Sequence, residues 1–338
     1  MLIYVFFGGM RGTAWANTFQ TLVFMVLGIV TFFVIANALG TGDGLIAKMQ
    51  SISAKVDVSK TTRAEMSKSE FVSYLLIPLS VGMFPHLFQH WLTAKSANAF
   101  KLSVVAHPLC IMLVWVPCVL LGIWATTDVA QAAIPPLAKF TAADQNKVLP
   151  FLADRLSGKW LGAFLSAGVL AAIMSSLDSQ FLCVGTMFTN DIAKRFASGG
   201  QMSDRATVLV TRLFIVAVVL LTYSVSMMQL GDVFSLGVWC FSGFSSLFPL
   251  IFASLYWKRL TKFGAYACVV AAAGTWLALF VHGVNSGDLD FQLAIPIGSE
   301  PLEVMPVTAM LLASTVAVIV GSLVSKPLPE ATIRKFFA

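Results

Sequence analysis

The stretch WLGAFLSAGVLAAIMSSLDSQFLCVGTMFTN (160–190) decides how this chain is read, because it is long, apolar and carries one carboxylate, Asp178, near its middle. A helical membrane crossing needs about 20 mostly apolar residues. This stretch is longer, which predicts a helix that tilts or extends past the bilayer. An ionised Asp at membrane depth costs at least ~2.5 kcal/mol unless it is paired or wetted, and such residues face a bundle interior or a water-filled path. Ser175, Asp178 and Ser179 stand at i, i+3 and i+4, so they share one helix face. Ser176 lies about 100° round from Ser175. Gly168, Ala171 and Ala172 line the preceding turns and permit a second helix to approach closely.

The composition agrees with a membrane protein. Of 338 residues, 58% are hydrophobic and 11% charged, against about 25% charged in a soluble domain. The 27 Phe and 8 Trp suit helices that face lipid and its interface. The net charge of +6 fits basic cytoplasmic loops and does not call for a nucleic-acid partner. Cys110, Cys118, Cys183, Cys240 and Cys268 all lie in apolar stretches and none forms a CxxC. They read as free, buried thiols. The opening MLIYVFF has no basic region and is too short for a signal sequence, so it reads as the tail of a helix that starts earlier.

Eight segments qualify as crossings, at about 16–39, 71–92, 102–125, 160–190, 207–229, 233–257, 263–283 and 304–324. They make one all-α integral membrane domain over 1–338. With Arg11 inside, the inside segments hold Lys95 and Lys101; Lys194, Arg195, Arg205 and Arg212; Lys258, Arg259 and Lys262; and Lys326, Arg334 and Lys335. The short outside loops near 230–232 and 284–303 carry Asp232, Asp288, Asp290, Glu300 and Glu303 but no Lys or Arg. Both chain ends are therefore expected on the cytoplasmic side of the cell membrane. The outside loops at 40–70 and 126–159 do carry basic residues, but long loops obey this rule weakly. Pro78, Gly82 and Pro85 predict a break in 71–92. AAIPPLAKF and VLPFLADRL predict short interfacial helices within 126–159.

Two readings of the Ser175–Asp178–Ser179 face stand side by side. Serine in a membrane helix often bonds back to the carbonyl at i−4, and small residues often serve packing alone. Equally, hydroxyls, a backbone carbonyl and a carboxylate offer the oxygen ligands a hard cation such as Na⁺ takes. Asp178 favours the second reading.

Four stretches resemble the sodium:solute symporter family. They are YVFFGGMRGTAWANTFQ (Tyr4–Gln20), FPHLFQHWLTAKSANAFK (Phe84–Lys101), LAAIMSSLDSQ (170–180) and SLYWKRLTKFGAYACVV (Ser254–Val270). LAAIMSSLDSQ is the most specific. Asn17 stands where the family's pattern has Asp, His90 where Arg is common, and Cys268 where a small residue is usual. The resemblance implies a LeuT-like (leucine-transporter) fold of inverted repeats and a sodium-coupled symporter, not an enzyme. It implies Na⁺ as coupling ion, no organic cofactor, and a small-molecule solute as partner. It places one sodium on the hydroxyls of Ser175 and Ser176 and the carbonyl of Ala172. Asp178 and Ser179 match a second sodium or coupling position. It also implies a chain that starts at the end of the family's fifth helix. Such a chain lacks most of the first repeat and is not expected to transport by itself.

The run LLIPLSVGMF before Pro85 is largely apolar, which disfavours a sugar and favours a small organic anion or amino-acid-like solute. Met83, Phe84 and Gln89 are the candidate solute-lining residues, with helix packing as the other reading of each. His86 and His90 lie four apart, but no HExxH glutamate accompanies them. The alternative function is a non-transporting membrane remnant, sensor or scaffold that keeps the symporter fold.

Overall fold

The computed structural model describes residues 2–63, 66–196, 202–296 and 301–337. In chain order the main elements are α1 (Leu2–Leu39), α2 (Leu45–Ser53), α3 (Lys68–Tyr74), α4 (Pro85–Leu92), α5 (Phe100–Ala125), α6 (Val148–Leu156), α7 (Gly158–Met187), α8 (Asp204–Ser226), α9 (Val233–Ser245), α10 (Phe248–Tyr256) and α11 (Lys262–Ser286). A two-stranded antiparallel hairpin, β1 (Leu293–Ile295) and β2 (Leu302–Val304), leads into α12 (Pro306–Val324). Among the described residues, seven helices are long and apolar enough to cross a membrane.

The remaining expected crossing, 71–92, is present in pieces: α3, a 3₁₀ turn over Ile77–Met83, an extended Phe84, and α4. Pro78 and Pro85 bring no N–H and block an α-helix through them. Pro85 instead starts α4, where its missing N–H costs nothing. The carbonyl of Leu76, at the broken stretch, accepts a hydrogen bond from Ser245 Oγ at 2.7 Å. At membrane depth a backbone group without such a partner is costly. The 126–159 segment folds as short helices, and VLPFLADRL is α6 itself. Polar caps mark the helix starts: Ser67 for α3, Ser203 for α8, Asp232 for α9 and Thr261 for α11. Each satisfies a backbone N–H that the helix leaves unbonded.

The chain forms two compact units, 1–62 with 89–228, and 63–88 with 229–338. In the first, the core gathers Phe32, Ile35 and Leu39 of α1 with Ile52 of α2, Trp124 of α5 and Leu152 of α6. Trp124 is fully buried, and its indole N–H donates to Ser53 Oγ at 3.1 Å. Helices α1 and α7 run together closely. A Cβ at Gly168 would stand 3.0 Å from a Leu27 methyl, so the small residue sets the approach. Helix α7 continues past Met187 as a π-helix over Phe188–Ala193. There Phe188 stacks on Phe214 of α8, with ring centroids 3.9 Å apart.

In the second unit, α11 and α12 meet through glycine. A Cβ at Gly321 would lie 2.9 Å from the Cα of Gly264, and one at Gly264 would collide with Ser322 Oγ. Ser73 of α3 binds the start of α12: its Oγ accepts from Met305 N–H at 3.2 Å and from the Thr308 hydroxyl at 3.0 Å. The Trp276 indole donates to the Trp239 carbonyl at 2.9 Å, and the Trp239 indole to the Leu289 carbonyl at 2.9 Å. All five cysteines are free. Only Cys183 and Cys268 are buried; Cys110, Cys118 and Cys240 lie exposed on apolar helix faces, which corrects the expectation that all five are interior. An apolar sequence context marks membrane depth and does not tell a lipid-facing side from a core-facing one.

Candidate functional site

The site is carried by α7, a largely apolar helix whose polar residues cluster over Ser175–Gln180. Asp178 is 0% exposed. Ser175 and Ser179, one turn apart, are half-buried on the same side, as their i, i+4 spacing requires. Ser179 Oγ accepts a hydrogen bond from the Asn17 side-chain amide of α1 at 2.9 Å. The turn that holds the carboxylate is therefore tied to α1 by a polar contact. Ser176, about 100° round the helix from Ser175, is exposed. Ala172, one turn before Ser176, is half-buried and lines an apolar cavity of about 490 Å³ bounded by α1, α5, α6 and α7.

Asn17 is the residue that the sequence reading noticed only as a departure from a pattern. Its amide N–H₂ is engaged with Ser179, while its Oδ1 is buried and has no hydrogen-bond partner among the described residues. A buried acceptor left without a donor costs roughly 1–3 kcal/mol, so a cation or proton donor at that oxygen would be favoured. Asn17 Oδ1, Ser179 Oγ and the Asp178 carboxylate stand on the same pair of helices. All three are oxygen groups, the kind a hard cation takes as ligands.

The solute candidates are placed differently. Met83 closes the 3₁₀ turn and is half-buried. Phe84 is 8% exposed, with its ring 4.5 Å from Phe244 and edge-on to Phe241 at 5.2 Å. These contacts hold Phe84 in the aromatic packing of the second unit. Gln89 is half-buried and belongs to the first unit. His86 lies 5.5 Å from the Phe84 ring, and the side chain of His90 is outside the described residues.

The sequence model of the sodium:solute symporter family matches residues 1–271. The sodium/proline symporter of Escherichia coli (strain K12) is 26% identical over 322 residues, covering 90% of this chain and 62% of that protein. The high-affinity proline transporter PutP of Bacillus subtilis is 26% identical over 299 residues, covering 86% and 59%. The osmoregulated proline transporter OpuE of the same organism is 28% identical over 216 residues, covering 63% and 42%. The chain spans about three fifths of the length of the first two. With a family match across most of its length, on a helical frame whose spans suit a membrane, the chain belongs to the sodium:solute symporter family.

Proposed function

We propose that this chain acts in a sodium-coupled secondary transporter, in which Na⁺ entry drives uptake of a small organic solute. The observation that carries it is Asp178: a fully buried carboxylate in the middle of a crossing, beside a serine tied to Asn17 of α1. A carboxyl at that depth is rare, and such residues commonly lie on an ion path. On this reading the Ser175 and Ser176 hydroxyls and the Ala172 carbonyl hold the driving Na⁺. The Asp178–Ser179 pair, with Asn17 Oδ1, forms a second cation position or coupling point. Oxygen ligands replace the hydration shell as the ion enters. Because Ser179 also holds α1, occupation of this turn would change the α1–α7 contact. That gives ion binding a mechanical consequence, which coupling requires.

For the solute, the relatives named above are proline transporters, and the run before Pro85 is apolar. Both support an amino-acid-like compound or small organic anion, with proline the first to try. The charge distribution supports a multi-pass protein with both ends of this chain cytoplasmic. Two measurements test the proposal. Uptake of radiolabelled proline into proteoliposomes that hold a transporter containing this chain is expected to require an inward Na⁺ gradient and to fail with K⁺. A Na⁺ titration of thermal stability in lipid nanodiscs reads ion binding without transport. Failure of Na⁺ to stabilise the chain at any concentration, with no Na⁺-driven uptake, would reject the sodium role.

A further inference from the structure

The second unit contains a cavity of about 180 Å³ that the sodium reading does not use. Water occupies about 30 Å³ per molecule in the liquid, so this space fits a few waters or one small ligand. Its lining has an unusual balance of charge. Glu70 of α3 and Asp290 of the segment before β1 both line it, and among the described residues no Lys, Arg or His does. Neither carboxylate forms an ion pair among the described residues. Tyr74 lines the same space as both carboxylates.

Two further polar groups line the same space. Ser242 of α9 is 3% exposed, and its hydroxyl makes no hydrogen bond among the described residues. Gln292 lines the cavity too, and its Oε1 is buried with no partner. Unmet buried groups of this kind are uncommon and costly. Asp290 is held in place: its Oδ1 lies 2.8 Å from the Ser235 hydroxyl, and its N–H donates to Asp288 Oδ1 at 2.9 Å. Rings of Phe234, Trp239 and Phe291 supply the remaining wall.

We propose that this cavity binds a small primary ammonium group, held by Glu70, Asp290, Ser242 and Gln292 with its alkyl part against the aromatic wall. Its N–H donors reach the Gln292 Oε1 that otherwise goes unmet, and the positive charge meets two carboxylates. Aromatic faces attract cations as well. A metal ion is the poorer match, because no group of three His, Cys, Asp or Glu side chains among the described residues is placed to hold one.

The test is calorimetric titration of the purified full chain in nanodiscs with ethylammonium chloride, against NaCl and tetramethylammonium chloride at equal ionic strength. Saturable binding of ethylammonium is expected. Glu70→Gln should weaken it at least about tenfold, in line with ~1.4 kcal/mol for a lost charged contact. Ser242→Leu, which fills the cavity, should abolish it. Gln292→Leu serves the same purpose if Ser242→Leu loses its helical circular dichroism. Binding should persist in Ser175→Ala/Ser176→Ala, which separates this site from the sodium turn of α7. The proposal falls if ethylammonium does not saturate, or if the cavity-filling variant binds as the parent does. It falls equally if tetramethylammonium or Na⁺ competes at the same concentration, or if Ser175→Ala/Ser176→Ala abolishes binding.

Discussion

At position 178 a carboxyl is enclosed on α7, one residue before the serine that Asn17 of α1 holds. If Ser175 and Ser176 are sodium ligands, changing either to alanine should raise the Na⁺ concentration for half-maximal stabilisation about tenfold, the effect of ~1.4 kcal/mol. An unchanged Na⁺ dependence in both variants removes the ligand assignment. Asn17→Ala should lower thermal stability by about 1 kcal/mol, the usual worth of one such hydrogen bond. If melting is unaltered, the α1–α7 contact does not depend on that amide. Asp178 was legible in the sequence because a charge stands out against an apolar run. Asn17 was not, because an amide near the start of a long helix has no periodic signature. Its meaning came from Ser179, which lies far away in the sequence.

Among elements, the broken stretch 77–84 was foreseen from Pro78, Gly82 and Pro85, since proline acts locally and needs no tertiary information. The glycine contact between α11 and α12 was hidden, because a glycine in an apolar helix looks the same whether it faces lipid or a neighbour. Gly321→Ala should destabilise that pair by about 1–3 kcal/mol, the cost of overpacking, since its new methyl meets the backbone of Gly264. A melting temperature equal to the parent's would show that the helices can separate at no cost. A pH effect belongs to the turn before α6. The Lys147 ammonium, with hydrogen bonds from the N–H and hydroxyl of Thr141, holds the Asp144 carboxyl below its ordinary range. A folded-state value below the unfolded one means that this contribution is present above about pH 4. It is lost as pH falls through the folded value. Asp144→Asn is therefore expected to lower the melting temperature at neutral pH and to leave it unchanged in strong acid. Equal losses at both would assign Asp144 a role independent of charge.

For the whole molecule, the sequence carried the class, the family likeness and the spans, because these depend on composition and local motifs. The grouping into two compact units was not readable. Its boundaries near 62, 88 and 228 coincide with no shift in composition, and the second unit takes one segment from each half of the chain. Orientation rests on Lys and Arg alone, and it can be checked directly. A membrane-impermeant maleimide applied to intact cells should label Asn285→Cys and spare Met202→Cys. The opposite pattern would invert the assigned topology and move the ammonium cavity to the cytoplasmic side.

The π-helix over Phe188–Ala193 has a consequence for alignment. A π-turn closes its hydrogen bond over five residues instead of four, so one residue is added without lengthening the helix by a full step. Every side chain after Ala193 is rotated by about 100° relative to an uninterrupted α-helix. Face counting that starts at Asp178 therefore loses its phase before Lys194. A homologue lacking one residue here can keep both the Asp178 turn and the contacts of the helix end in register. A single-residue gap drawn between Phe188 and Ala193 would then mark a conserved geometry, where sequence comparison alone would show only a mismatch.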